Sequence, residues 1–123
     1  MTTTFDRYRF AQVLLESGEP LEALALLGPV EEEIDGNAAA LLVLGRAYFH
    51  SAQLERARQV LARVVDLDPT DAYARFLLGR TLERQSRPAE AQVQYRVAVA
   101  MSDRPEYRER LDGLAARLDP DGA

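Results

Sequence analysis

Apolar residues along the 34-residue stretch 38–71 recur three and four apart, over 38–50 and again over 54–67, with polar residues between them. That spacing predicts two amphipathic helices joined by a short turn. Asp68-Pro69 closes the pair, because the residue before a proline is driven out of the helical region. The pattern then repeats. Gly45 and Gly79 are 34 apart (79 − 45), and Ala11 lies 34 before Gly45. Ala23, Ala57 and Ala91 keep this spacing, as do Leu14, Tyr48 and Leu82, then Leu27, Leu61 and Tyr95, then Val30, Val64 and Ala98. Three copies, about 4–37, 38–71 and 72–105, align without insertion or deletion. Self-similarity at one fixed period marks a repeat array, in which each helical hairpin is completed by its neighbours.

The recurring residue types have a physical reason. A small residue at 11, 45 and 79, set opposite the alanines at 23, 57 and 91, lets two antiparallel helices approach closely. Glycine inside a helix costs about 0.5–1 kcal/mol relative to alanine, so two of them need a gain in packing to offset them. The larger pairs (Leu14 with Leu27, Tyr48 with Leu61, Leu82 with Tyr95) fill the space around that contact.

In chain order, Thr2, Thr3 and Thr4 offer N-cap hydroxyls, Asp6 favours a first turn, and the first helix is expected over 5–16, ended by Ser17-Gly18. Pro20 suits the start of a second helix over 21–27, which Gly28-Pro29 should break. The acidic run 31–37 reads as a solvated linker with room for a short extra turn. The second pair is expected over 38–50 and 54–67, the third over 72–85 and 88–101. A seventh helix over 106–118, with Tyr107, Leu111, Leu114 and Leu118 as its apolar stripe, reads as a cap on the last stacking face. The segment 119–123 reads as a frayed tail.

The chain resembles the tetratricopeptide repeat (TPR) family. Leu44-Gly45-Arg46-Ala47-Tyr48, Ala57, Leu61, Val64 and Pro69 carry the resemblance in the middle copy. Leu78-Gly79, Leu82, Ala91, Tyr95 and Ala98 carry it in the third, and Phe10-Ala11, Leu14, Ala23, Leu27 and Val30 in the first. Departures exist: Arg7, Leu41 and Arg75 stand where the family has tryptophan, and Asp35 and Asp103 where it has a late proline. The resemblance implies an all-α, right-handed α-solenoid of three TPR helix-turn-helix units with a seventh, capping helix. It covers about 102 of 123 residues (3 × 34).

Composition narrows the function. A length of 123 residues suits a single domain. There is no cysteine, which excludes disulfides and thiolate metal sites. The opening MTTTFDRYRF has no basic head ahead of an apolar run, and the longest apolar run stops at Arg46, so neither a signal peptide nor a membrane span is expected. A cytoplasmic protein is the resulting expectation, and Met1 with the acidic tail favours a whole chain. All 15 basic residues are arginine, in keeping with a GC-rich coding bias, and the net charge of −5 argues against a general nucleic-acid binder. One histidine, no cysteine and no nucleophile motif give no support to catalysis. No phosphate loop or metal-ligand cluster is legible, so no cofactor is expected.

In TPR proteins the first helix of each pair lines a concave groove, and the resemblance implies the same for Phe5, Tyr8, Arg9, Gln12 and Leu15, then Leu42, Val43, Arg46, Phe49 and His50, then Tyr73, Phe76, Leu77, Arg80, Glu83 and Arg84. An exposed apolar stripe marks a docking site. Aromatic residues beside Arg46 and Arg80 have the make-up of an interface hot spot. Chaperone-binding members hold an acidic C-terminal peptide in a clamp of asparagines and lysines. The matching positions here are Tyr8, Gln12, Val43, Tyr73 and Leu77, so no clamp is present. The expected function is a non-enzymatic protein-interaction scaffold taking an apolar or amphipathic segment, with an acid reaching Arg46 or Arg80. The alternatives are a homo-oligomeric structural protein, pairing through the groove or the open N-terminal face, and a regulatory subunit of an enzyme complex.

Overall fold

A computed structural model describes residues 3–119 of the chain. Among them are seven α-helices, α1 (Thr4–Glu16), α2 (Pro20–Leu27), α3 (Ala38–His50), α4 (Leu54–Leu67), α5 (Ala72–Arg84), α6 (Pro88–Met101) and α7 (Pro105–Leu118), with a 3-10 turn at Gly28–Val30 and no strand. Thr2 and the tail from 120 lie outside the described residues. The chain divides into two compact units, one ending at Asp68 and one beginning at Pro69. In the first, α1 packs on α2, α2 on α3, α3 on α4 and α1 on α3. In the second, α5 packs on α6 and α6 on α7.

Local chemistry sets the helix ends. Thr3 and Asp6 form a reciprocal capping box on α1, while the side chains of Asn37 and Asp71 accept from the amides of Ala40 and Ala74 at 3.1 and 2.9 Å. Pro20, Pro88 and Pro105 occupy first-turn positions, where a missing amide proton costs nothing. Each hairpin turns through a residue of positive φ at repeat-equivalent places: Gly18 at 81°, Ala52 at 61° and Ser86 at 61°. The residue after each one donates back to Leu14, Tyr48 and Leu82 respectively, each bond 2.9 Å long, which closes a Schellman motif.

The repeat positions form the core. Ala11, Ala23, Ala57 and Ala91 are fully buried, with Leu27, Leu61, Tyr95, Val64 and Ala98 beside them. The closest approach is made with the larger residue one helical turn on, and at Gly79 also with the expected Ala91, whose carbonyl oxygen a Cβ would meet at 3.3 Å. A Cβ on Gly45 would lie 2.8 Å from Leu61 Cδ2, and one on Gly79 would lie 2.6 Å from two ring carbons of Tyr95. Two of the residues standing in for tryptophan reach across their hairpins. Arg7 donates to the Leu26 carbonyl at 3.0 Å, and Arg75 to the Gln94 side chain at 3.4 Å.

Three details differ from the sequence expectation. The run 31–37 is a turn with a buried anchor, since Ile34 is only 3% exposed. Arg63 of α4 ties that turn down through ion pairs to Glu31 and Asp35. α1 begins at Thr4, α2 begins at Pro20, α5 ends at Arg84 and α7 begins at Pro105, each one residue from the expected boundary. On α7, Tyr107 and Leu114 are buried and Leu111 is half-buried, while Leu118 stays exposed.

Candidate functional site

Reading the first helix of each pair at the 34-residue spacing sorts the expected groove residues by what covers them. Tyr8 and Leu42 are half-buried, as are Gln12, Arg46 and Arg80 at the next equivalent set, and so is Tyr73. Phe5, Arg9, His50 and Arg84 are exposed. These ten keep surface for a ligand.

Four others do not. Val43 and Leu77 are buried core residues, and with Arg9 they mark a stacking position rather than a groove position. Phe49 is 3% exposed, its ring meeting His50 edge-on at 5.3 Å. Phe76 is 6% exposed and stacks on Tyr107 with centroids 4.4 Å apart, so α7 takes the ring that the sequence offers to a partner. Leu15 is buried as well. For Val43 and Phe49 on α3 the physical reason is the same. α3 has α1, α2 and α4 packed against it, which leaves a narrower exposed stripe than helical periodicity alone suggests.

In the first unit Tyr8 and Gln12 of α1 and Leu42 and Arg46 of α3 are the half-buried members of the set. The Nε of Arg46 is buried and has no hydrogen-bond acceptor among the described residues. An unpaired buried donor is costly, about 1–3 kcal/mol, and more for a charged group. Phe5 and Arg9 turn away toward Phe10 and Val13, and together with Asp6 these residues line an open depression of 360 Å³. The Arg9 guanidinium lies over the Phe5 ring at 5.8 Å.

In the second unit, Phe76 and Arg80 with Glu106, Glu109 and Arg110 of α7 line a depression of 310 Å³. Burial, and then the Arg110 guanidinium, pull the pKa of Arg80 below its usual value. Arg110 and the two glutamates were not legible as part of the site. Only the return of α7 beside α5 brings them there. Glu83 is engaged, accepting from the Tyr95 hydroxyl at 2.8 Å and from Arg117 at 2.7 Å. Burial and this carboxylate push the Tyr95 phenol well above its ordinary pKa. Among the described residues no group of three or more His, Cys, Asp and Glu is placed to hold a metal ion. No helix among them is long and apolar enough to cross a membrane.

Residues 14–80 match a family described as tetratricopeptide repeat. No curated protein matches the chain. Among solved structures, the first TPR of Spaghetti (RPAP3) bound to the HSP90 peptide SRMEEVD is similar at 16% identity and TM-score 0.83, over 94% of each chain. MamA from Desulfovibrio magneticus RS-1, from its residue 41 on, is similar at 27% identity and TM-score 0.74, over 80% of this chain and 56% of that one. YrrB, described as a TPR protein with an unusual peptide-binding site, is similar at 20% identity and TM-score 0.82, over 92% of this chain and 58% of that one. The chain thus spans little more than half the length of the latter two.

Proposed function

The chain belongs to the tetratricopeptide repeat family, and on that premise we propose a non-enzymatic protein-binding module whose ligand is an amphipathic peptide segment carrying an acidic side chain. The segment lies along α1 and α3 of the first unit, using Tyr8, Gln12, Leu42 and Arg46. One observation carries the reading. Arg46, repeat-equivalent to Arg80, is half-buried with its Nε lacking an acceptor among the described residues, beside the half-buried Leu42. A guanidinium fork in such a place is matched by a carboxylate, which takes two parallel hydrogen bonds from it. The apolar neighbours favour a segment with one apolar face. Two of the similar structures are of peptide-binding TPR proteins, in keeping with a peptide ligand here. The positions of the chaperone clamp hold Tyr8, Gln12, Val43, Tyr73 and Leu77, so the ligand differs from a bare acidic terminus.

Fluorescence anisotropy with a labelled peptide library tests this. The library should contain amphipathic helices with and without one internal glutamate, and acidic C-terminal peptides. Arg46→Gln and Arg46→Ala are each expected to weaken the glutamate-bearing ligand about 10–100-fold, the worth of a charge-assisted hydrogen bond. The acid-free peptide should be indifferent to both changes. Ligands that need only a terminal carboxylate, or that bind both variants as well as wild type, would refute the proposal.

A further inference from the structure

The open face of α1 carries a second site. On α3, the helix on which α2 packs, Ala40, Val43, Leu44 and Ala47 are all buried. Their counterparts on α5, namely Ala74, Leu77, Leu78 and Thr81, are buried too. The equivalent places on α1 are Asp6, Arg9, Phe10 and Val13. Phe10 is 61% exposed and Val13 is 58% exposed. A terminal repeat kept merely soluble would carry small or polar residues here. α1 instead has a phenylalanine where the other copies have leucine, and a valine where they have alanine and threonine. Larger apolar groups at an uncovered position cost solubility and contribute nothing to the packing within their own unit.

We propose that this face pairs with a second copy of the chain, α1 lying antiparallel on α1 about a twofold axis. The face is complementary to itself. An axis crossing midway between residues 7 and 8 matches any two residues whose numbers sum to 15. Asp6 then meets Arg9 of the second copy (6 + 9), and Phe5 meets its Phe10 (5 + 10). The twofold makes each match occur twice. Shape agrees with charge, because the 360 Å³ depression beside Phe5 and Arg9 receives the ring of the second copy's Phe10. The four phenylalanines bury on the order of 400–600 Å² between them. That area falls below the roughly 1,200–2,000 Å² of a standard stable interface, so the dimer is a weak, transient one. This surface shares no residue with the set around Arg46.

Sedimentation equilibrium on the full chain across the micromolar range tests the proposal. Wild type is expected to shift from monomer to dimer, and Arg46→Gln to behave identically. Phe10→Glu and Phe5→Glu alter exposed residues, so the helices should survive, as circular dichroism will verify. Each variant should raise the dimer dissociation constant about tenfold or more. A charge exchange supplies the sharper arm. Arg9→Asp and Asp6→Arg each place like charges opposite one another, so each alone should stay monomeric; Asp6→Arg also loses the capping bond to Thr3, so its helix content is verified by circular dichroism too. Mixed, the two variants present acid to base at both places and should recover a one-to-one dimer. A wild-type monomer at every concentration overturns the proposal. A dimer that tolerates Phe10→Glu, or variants that fail to pair on mixing, overturns the α1-on-α1 contact.

Discussion

Gly79→Ala tests the packing argument at its tightest point. Alanine favours a helix over glycine by about 0.5–1 kcal/mol, so on propensity alone the change stabilises. Packing opposes it. The new Cβ would lie 2.6 Å from Cδ1 and Cε1 of Tyr95 and 3.3 Å from the Ala91 carbonyl oxygen, where carbon contacts prefer about 3.5–4.0 Å. The ring must therefore retreat by about 1 Å. It has little room, being fully buried, bonded through its hydroxyl to Glu83 at 2.8 Å and tilted against Phe76 at 5.7 Å. Overpacking of this kind costs about 1–3 kcal/mol. The net expectation is a loss of about 1–2 kcal/mol, or about 4–8 °C in Tm for a chain of this size. Gly113→Ala is the matched control, since a Cβ there meets nothing within 4 Å. It should gain about 0.5–1 kcal/mol. Thermal and urea unfolding followed by circular dichroism read both. If Gly79→Ala raises Tm as Gly113→Ala does, the close approach does not limit this position and the reasoning fails.

Two further outcomes follow from the same coordinates. Ala52 holds φ at 61° in a turn where the first copy has Gly18, so Ala52→Gly should raise stability by about 0.5–1 kcal/mol in urea unfolding, the left-handed strain on alanine slightly outweighing the added freedom of the unfolded glycine. The Tyr95 phenol is raised by burial and by Glu83, and Tyr107 by burial. Their contribution to stability is fully present below the ordinary tyrosine pKa of about 10 and is lost as pH climbs above it, because the unfolded chain releases those protons first. An absorbance titration of phenolate should show these two tyrosines ionising last, together with loss of helix; early ionisation in the folded protein would contradict their burial.

Much of the fold was legible because the repeat is a statement about helices and their own hairpins. The 34-residue period, the caps at Thr3, Asn37 and Asp71 and the prolines at helix starts all act within a few residues, so the helix boundaries follow to within one residue. The small residues at 11, 45 and 79 likewise announce a close helix pair, although the structure sets Gly45 against Leu61 and Gly79 against Tyr95.

The surface was less legible. A hydrophobic pattern tells which residues want burial but not which neighbours arrive to bury them. Phe49, Val43, Phe76 and Leu77 look like ligand contacts on a single helix and are buried in the fold. Ile34 looks like part of a solvated linker, yet it anchors a turn that Arg63 holds from 28 residues away. Exposure is a property of several helices at once, whereas helix formation is a property of one. The sequence by itself therefore determined the period, the helices and the residue types at their contacts. Only the tertiary structure decided that Arg46 keeps an unpartnered donor, that α7 occupies Phe76, and that Phe10 and Val13 are left uncovered.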